Sequence, residues 1–213
     1  ISILIEAGAI DPAIALLERA SPLPPKLVPK LFEASLLGSQ YDPACKQVLD
    51  LGANYQNDAG RIYCHALEGD WLTASLIYNT SKALDSIETS TLLLLGEFLE
   101  IEEPSEKFVS PNEIDLSPLE FRLYETLGYH IFRENLGNAF LFGDLSGDNG
   151  WYAQLIAAER LAKNGVIDAN RFLGIFTAYD PPSSDGIWER VRAIQHLDKA
   201  LSLSNSTKEV ELA

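Results

Sequence analysis

The chain reads as an all-α protein: an irregular, solenoid-like stack of antiparallel helical hairpins, followed by a more globular, aromatic-rich helical lobe. Three observations predict this. Apolar residues recur at helical spacing through most of the 213 residues. No segment alternates apolar and polar residues over about five or six positions, as a half-buried strand would. Finally, a stop-and-restart phrase repeats. Leu4, Gly8, Ile10, Asp11 and Leu16 return at identical offsets as Leu161, Gly165, Ile167, Asp168 and Leu173, with a shorter echo at Gly69-Asp70-Trp71. Glycine takes the left-handed conformation that ends a helix, and aspartate accepts hydrogen bonds from the free N–H groups that begin the next. Such punctuation belongs to stacked short helices.

Taken in order, residues 2–8 read as a helix end, and Asp11 as the cap of a second helix with Pro12 at its first position, where no N–H is needed. Ser21 to Pro25 is a proline-rich turn, after which Leu27, Leu31 and Ala34 fall on one helical side. Asp42-Pro43 opens a helix to about Leu51. Further helices are expected at about 59–68, from Asp70 onward with Trp71, Ala74, Leu76, Ile77 and Tyr78, and at about 88–100. Residues 101–117 carry prolines and serines without periodicity and read as a linker or long loop. Ser117-Pro118 restarts helix, and short helices near 135–142, 150–164, 168–180 and 184–203 follow, the 150–164 one capped by Asp148 or Asn149. The expected organisation is a hairpin lobe at 1–100, the linker at 101–117, a second lobe at 118–203 and a frayed tail at 204–213. Of the 20 aromatic residues, 13 lie beyond residue 100, which is why the second lobe is expected to pack more thickly.

The net charge of −15 makes nucleic acid and anionic membrane surfaces poor partners, since both recruit clustered lysine and arginine. No apolar run approaches the roughly 20 residues that span a bilayer. Between Lys82 and Lys107 there is no cation, yet Glu97, Glu100, Glu102, Glu103 and Glu106 cluster there. They read either as a solvated edge or as a docking surface for a basic protein partner. The chain starts at Ile1, within what reads as a helix and without an initiator methionine, so it is expected to be a piece of a longer or processed protein.

Chemistry-bearing patterns are sparse. His65, His130 and His196 lie on separate predicted helices, without the i, i+4 spacing of metal ligands. Asp144 to Gly150 begins like a calcium loop, but glycine falls one position late and Leu155 stands where a bidentate glutamate is required. No nucleophile elbow or phosphate-cradling glycine loop is present in the sequence. The expectation is therefore a protein with no catalytic role, no metal and no cofactor. Cys45 and Cys64 lie equidistant from the predicted Asn54-Tyr55 turn, so they either face each other in a disulfide or are two small buried thiols. A disulfide would imply an oxidising compartment such as a periplasm. The loop Asp180-Pro-Pro-Ser183-Ser184-Asp185-Gly with Trp188 ends one helix and starts the next, and its exposed part is a candidate binding loop.

With Gly69-Asp70-Trp71-x-x-Ala74 and the Gly-x-Ile-Asp phrases, the first half resembles the tetratricopeptide-like helical-repeat superfamily, although the 34-residue consensus of that superfamily is not met. The segment from Gly150-Trp151 through Ala162, with Trp188-Glu189-Arg190-Val191, resembles uncharacterised exported helical proteins of bacteria. Superhelical domains of soluble lytic transglycosylases are similar in style, but their Glu-Ser catalytic pair has no counterpart here. These resemblances imply a periplasmic or otherwise exported scaffold or adaptor that binds another protein. The alternative they imply is an accessory domain of a cell-wall enzyme.

Overall fold

A computed structural model describes residues 1–20, 22–38, 42–102, 116–129, 131, 136–146, 148–182 and 186–203. Among these residues the protein is all-helical, with α1 (Ser2–Ala7), α2 (Ile10–Arg19), α3 (Val28–Gly38), α4 (Asp42–Leu51), α5 (Asp58–Leu67), α6 (Trp71–Leu84), α7 (Thr89–Phe98), α8 (Pro118–Thr126), α9 (Asn138–Leu141), α10 (Trp151–Lys163), α11 (Ala169–Phe176) and α12 (Ile187–Leu203), and no strand. None of these helices is long and apolar enough to cross a membrane.

The repeated phrase stops helices in one way and starts them in two. Gly8, Gly69 and Gly165 all take positive φ, at 87°, 81° and 68°. The next N–H then reaches back five residues each time: Ala9 to the Leu4 carbonyl, Asp70 to that of His65, and Val166 to that of Leu161, at 2.8–2.9 Å. This satisfies carbonyls that a helix end would otherwise leave bare. Asp70 and Asp168 then cap α6 and α11, accepting the backbone N–H groups of Thr73 at 3.2 Å and Arg171 at 2.8 Å. Asp11 does not cap α2. That helix begins one residue earlier, with Ala9 as its N-cap and no side-chain cap bond, and the Ala9 carbonyl accepts from the Ala13 N–H at 3.2 Å. Pro12 is thereby third in the helix, still within the first turn, where no intrahelical N–H is required. Nor do Asp148 or Asn149 cap α10. Its N-cap is Gly150, while the Asn149 amide donates to the Asp144 carboxylate at 2.7 Å.

Two compact units emerge, Ile1–Gly143 and Asp144–Ala213. In the first, α2 through α6 each pack on the next helix, and α7 packs on both α5 and α6. Ile10, Leu17, Leu36, Leu37, Ile62, Tyr78, Leu94, Leu95, Phe121 and Leu123 form its deepest core. Contacts far apart in sequence also close it, with α8 against α3 and α7, and α9 against α1. Helix α8, expected to open the later lobe, therefore belongs to the first unit. Its buried Arg122 donates to the Leu36 and Leu37 carbonyls near the end of α3. Ser117 and Glu120 supply a complete capping box at the start of α8. In the second unit α11 packs on α10 and α12, around Leu155, Ala157, Ala158, Leu161, Phe176 and Val191. Most of the expected linker at 101–117 and all of the expected tail at 204–213 lie outside the described residues.

Candidate functional site

Helix α6 carries two apolar rows, and only one of them is buried. Ala74, Ile77, Tyr78 and Ser81 face the core. Leu72, Leu76, Thr80 and Leu84 recur every fourth residue and so form a single ridge along the helix. Its leucines are 83%, 66% and 72% exposed. Leu67 and Trp71, both roughly half exposed, extend the apolar surface at its start. Trp71 is anchored inward through a chain of rings. Its indole lies 6.4 Å from Phe98, Phe98 stacks on Tyr63 at 5.5 Å, and Tyr63 meets Phe32 edge-on at 6.4 Å. The ridge is thus fixed to a packed core while its leucines face water. Scattered apolar residues are ordinary on a surface; a row of adjacent, highly exposed leucines is not.

Charge is arranged around this ridge by the same short segments. Exposed Glu68 and Asp70 precede α6, and exposed Asp85 and Glu88 follow it. Hydrogen bonds from Thr73 hold the Asp70 carboxyl below the usual carboxylate range, with a smaller contribution from His65, whose Nδ1 lies 3.3 Å away. The one cation of α6, Lys82, is engaged by Glu102, which the ammonium keeps low in pKa, and Tyr78 also donates to Glu102 at 3.4 Å. Burial pushes the Tyr78 phenol up. Gly96 permits this cluster, because a Cβ there would sit 2.5 Å from the Tyr78 hydroxyl and 2.6 Å from Glu102 Cγ. At neutral pH both ends of the ridge are negative and its single cation is neutralised.

The acidic residues singled out in the sequence have different placements. Glu97 is half-buried and accepts from the Tyr129 hydroxyl at 2.8 and 3.0 Å, while desolvation and this carboxylate push the Tyr129 phenol up to about 12. Glu102 holds Lys82, and Glu100 is exposed, with φ at 57°. Glu103 and Glu106 lie outside the described residues. Two of the five are therefore engaged internally, while Glu68, Asp70, Asp85 and Glu88 supply exposed carboxylates at the two ends of α6.

A concavity in the same unit has a volume of about 430 Å³, between apolar walls from Phe32, Leu36, Ile87 and Leu119. Helices α5, α7 and α8 all begin beside it, at Asn57, Glu88 and Ser117. Each helix start contributes roughly half a positive charge. The carboxylates of Glu33, Asp58 and Glu88 line the cleft, but Lys30 pairs with Glu33 at 2.7 Å and Arg61 with Asp58 at 2.9 Å. Glu120, behind Thr91 and Ser117, is buried and accepts from Ser90, Thr91 and Ser117. Helix starts and carboxylates of opposite sign therefore both face this cleft.

Cys45 of α4 and Cys64 of α5 are joined in a disulfide with a Cα–Cα separation of 5.1 Å, both cysteines being buried. In the second unit, Trp188 lies 5.2 Å from Trp151 and 5.9 Å from Tyr152, and the Trp151 indole donates to the Ile175 carbonyl at 2.9 Å. Trp188 thus ties α12 to α10. Asp180 is exposed; Ser183, Ser184 and Asp185 of the candidate loop lie outside the described residues, as does His130. Among the described residues no three histidine, cysteine, aspartate or glutamate side chains converge as metal ligands would.

The sequence reading places Trp71, Ala74, Leu76, Ile77 and Tyr78 together on this helix without separating its faces, so it does not mark the leucine ridge. The available signal was the presence of two apolar rows on one helix: an element apolar on more than one face is either wholly enclosed or has something further to bind. Comparison with known proteins adds nothing to this site, since no family model, no curated protein and no solved structure matches the chain.

Proposed function

We propose that this protein is a non-catalytic helical scaffold of the bacterial envelope, stacking short helices in a tetratricopeptide-like manner and binding another protein through the outer face of α6. The observation that carries this reading is the row of leucines left 66–83% exposed on an otherwise well-anchored helix. Exposed apolar rows of this kind mark contact surfaces. The consecutive packing of α2 through α6 supports the repeat-like arrangement. The Cys45–Cys64 disulfide supports an exported setting, because such bonds persist in oxidising compartments.

The test uses the intact chain and its Leu72→Gln/Leu76→Gln variant, each immobilised and exposed to envelope protein from the source cell and, separately, to peptidoglycan sacculi. Saturable, salt-sensitive retention of a discrete protein by the parent but not the variant is the expected result. Retention of sacculi with no protein bound would overturn the scaffold reading in favour of an accessory domain of a cell-wall enzyme.

A further inference from the structure

We propose that the α6 ridge receives an amphipathic helix from the partner protein, one whose apolar row at i, i+4 and i+8 spacing is flanked at both ends by lysine or arginine. This rests on the reading of the protein as a protein-binding scaffold. The argument begins with shape. Leu72, Leu76, Thr80 and Leu84 form an i±4 row, and such rows pack into the groove beside the matching row of another helix. The ridge runs from Leu72 to Leu84, twelve steps of 1.5 Å or about 18 Å, so a partner helix of three to four turns covers it.

Charge then selects the ends of that helix. Glu68 and Asp70 lie before the ridge, Asp85 and Glu88 after it, and Lys82 is already held by Glu102. A docked helix that carries apolar residues throughout would leave these carboxylates unmatched, whereas basic residues on either side of its apolar row would meet them. The same charges argue against a second copy of this chain as the occupant. Two ridges packed face to face in antiparallel fashion would bring Glu68 and Asp70 of one copy towards Asp85 of the other, on molecules that each carry a net charge of −15. An anionic lipid surface is disfavoured by the same repulsion.

Fluorescence anisotropy with a labelled synthetic helix tests the proposal. The helix has leucines at i, i+4 and i+8 and lysines at both ends, and its twin replaces the lysines with glutamates. The lysine-ended helix should bind at least about tenfold more tightly than the twin. The preference should shrink with added salt and with Glu68→Lys/Asp85→Asn, and binding should be lost in Leu72→Gln/Leu76→Gln. The leucines and Glu68 are exposed, so unchanged circular dichroism and thermal midpoint would confirm that these variants fold. Equal binding of the twins overturns the proposal. So does sedimentation showing a dimer that the leucine variant loses, which would make a second copy the occupant. If neither helix binds while the ridge-dependent envelope partner is still retained, the scaffold reading stands and the basic-helix occupant falls. If that partner is also missing, both fall.

Discussion

Gly69 and Glu100 occupy the same kind of position with opposite fitness for it. Both residues follow a helix with positive φ, at 81° and 57°, and the residue after each reaches back five positions to a helix carbonyl. Around Gly69 a Cβ would meet nothing within 4 Å, so Gly69→Ala isolates the conformational cost and should destabilise by about 1 kcal/mol in urea unfolding. Glu100→Gly should do the reverse, gaining up to ~1 kcal/mol, part of which is cancelled by the extra freedom of glycine in the unfolded chain. Glu120 gives the residue-scale pH prediction. Burial raises its pKa, but the hydrogen bonds from Ser117, Thr91 and Ser90 outweigh this and leave it below the ordinary glutamate value of 4.5. A depressed carboxylate adds stability that is fully present above its unfolded pKa and is lost as pH falls through the folded one. Unfolding free energy should therefore decline on acidification below about pH 4.3, with a shallower decline in Glu120→Gln. Ser117→Ala, which removes the hydroxyl half of the capping box, should cost about 1 kcal/mol at neutral pH.

Among the elements, the α4–α5 pair and α6 make separate predictions. The Cys45–Cys64 bond spans a sequence separation of 19, and in the chain-entropy model a loop of that size is worth about 3 kcal/mol. Cys45→Ala/Cys64→Ala should lose about that amount in urea unfolding. Mass spectrometry after alkylation of non-reduced protein from its native compartment should find neither cysteine modified. At α7, Gly96→Ala forces a methyl group into the space of the Tyr78 hydroxyl and Glu102, and Tyr78 is too deeply buried to swing away. A loss of about 2 kcal/mol, read in the same unfolding assay, is expected from such overpacking. The helices themselves were largely legible in the sequence. Glycine and aspartate set the stop of α5 and the start of α6 through local backbone chemistry that neighbours do not alter. The start of α2 was not, because Ala9 rather than Asp11 stands at its N-cap without any side-chain bond, and spacing alone does not show which residue takes that place.

For the molecule as a whole, net charge predicts opposing responses to salt. Self-repulsion among charges summing to −15 is screened as ionic strength rises, so the thermal midpoint should increase with sodium chloride. Binding of a basic-ended helix at α6 should weaken over the same range, since its attraction is screened too. Both are read on one sample series, by scanning calorimetry and anisotropy. The sequence by itself determined the all-helical class, most helix boundaries and the acidic character, because these depend on residues close together in the chain. Only the tertiary structure decided that α8 joins the first unit, through Arg122 on carbonyls more than eighty residues earlier. It alone also decided which apolar row of α6 is covered. Both rows have helical periodicity and similar composition, and what separates them is whether another helix lies against them, a fact set by contacts distant in sequence.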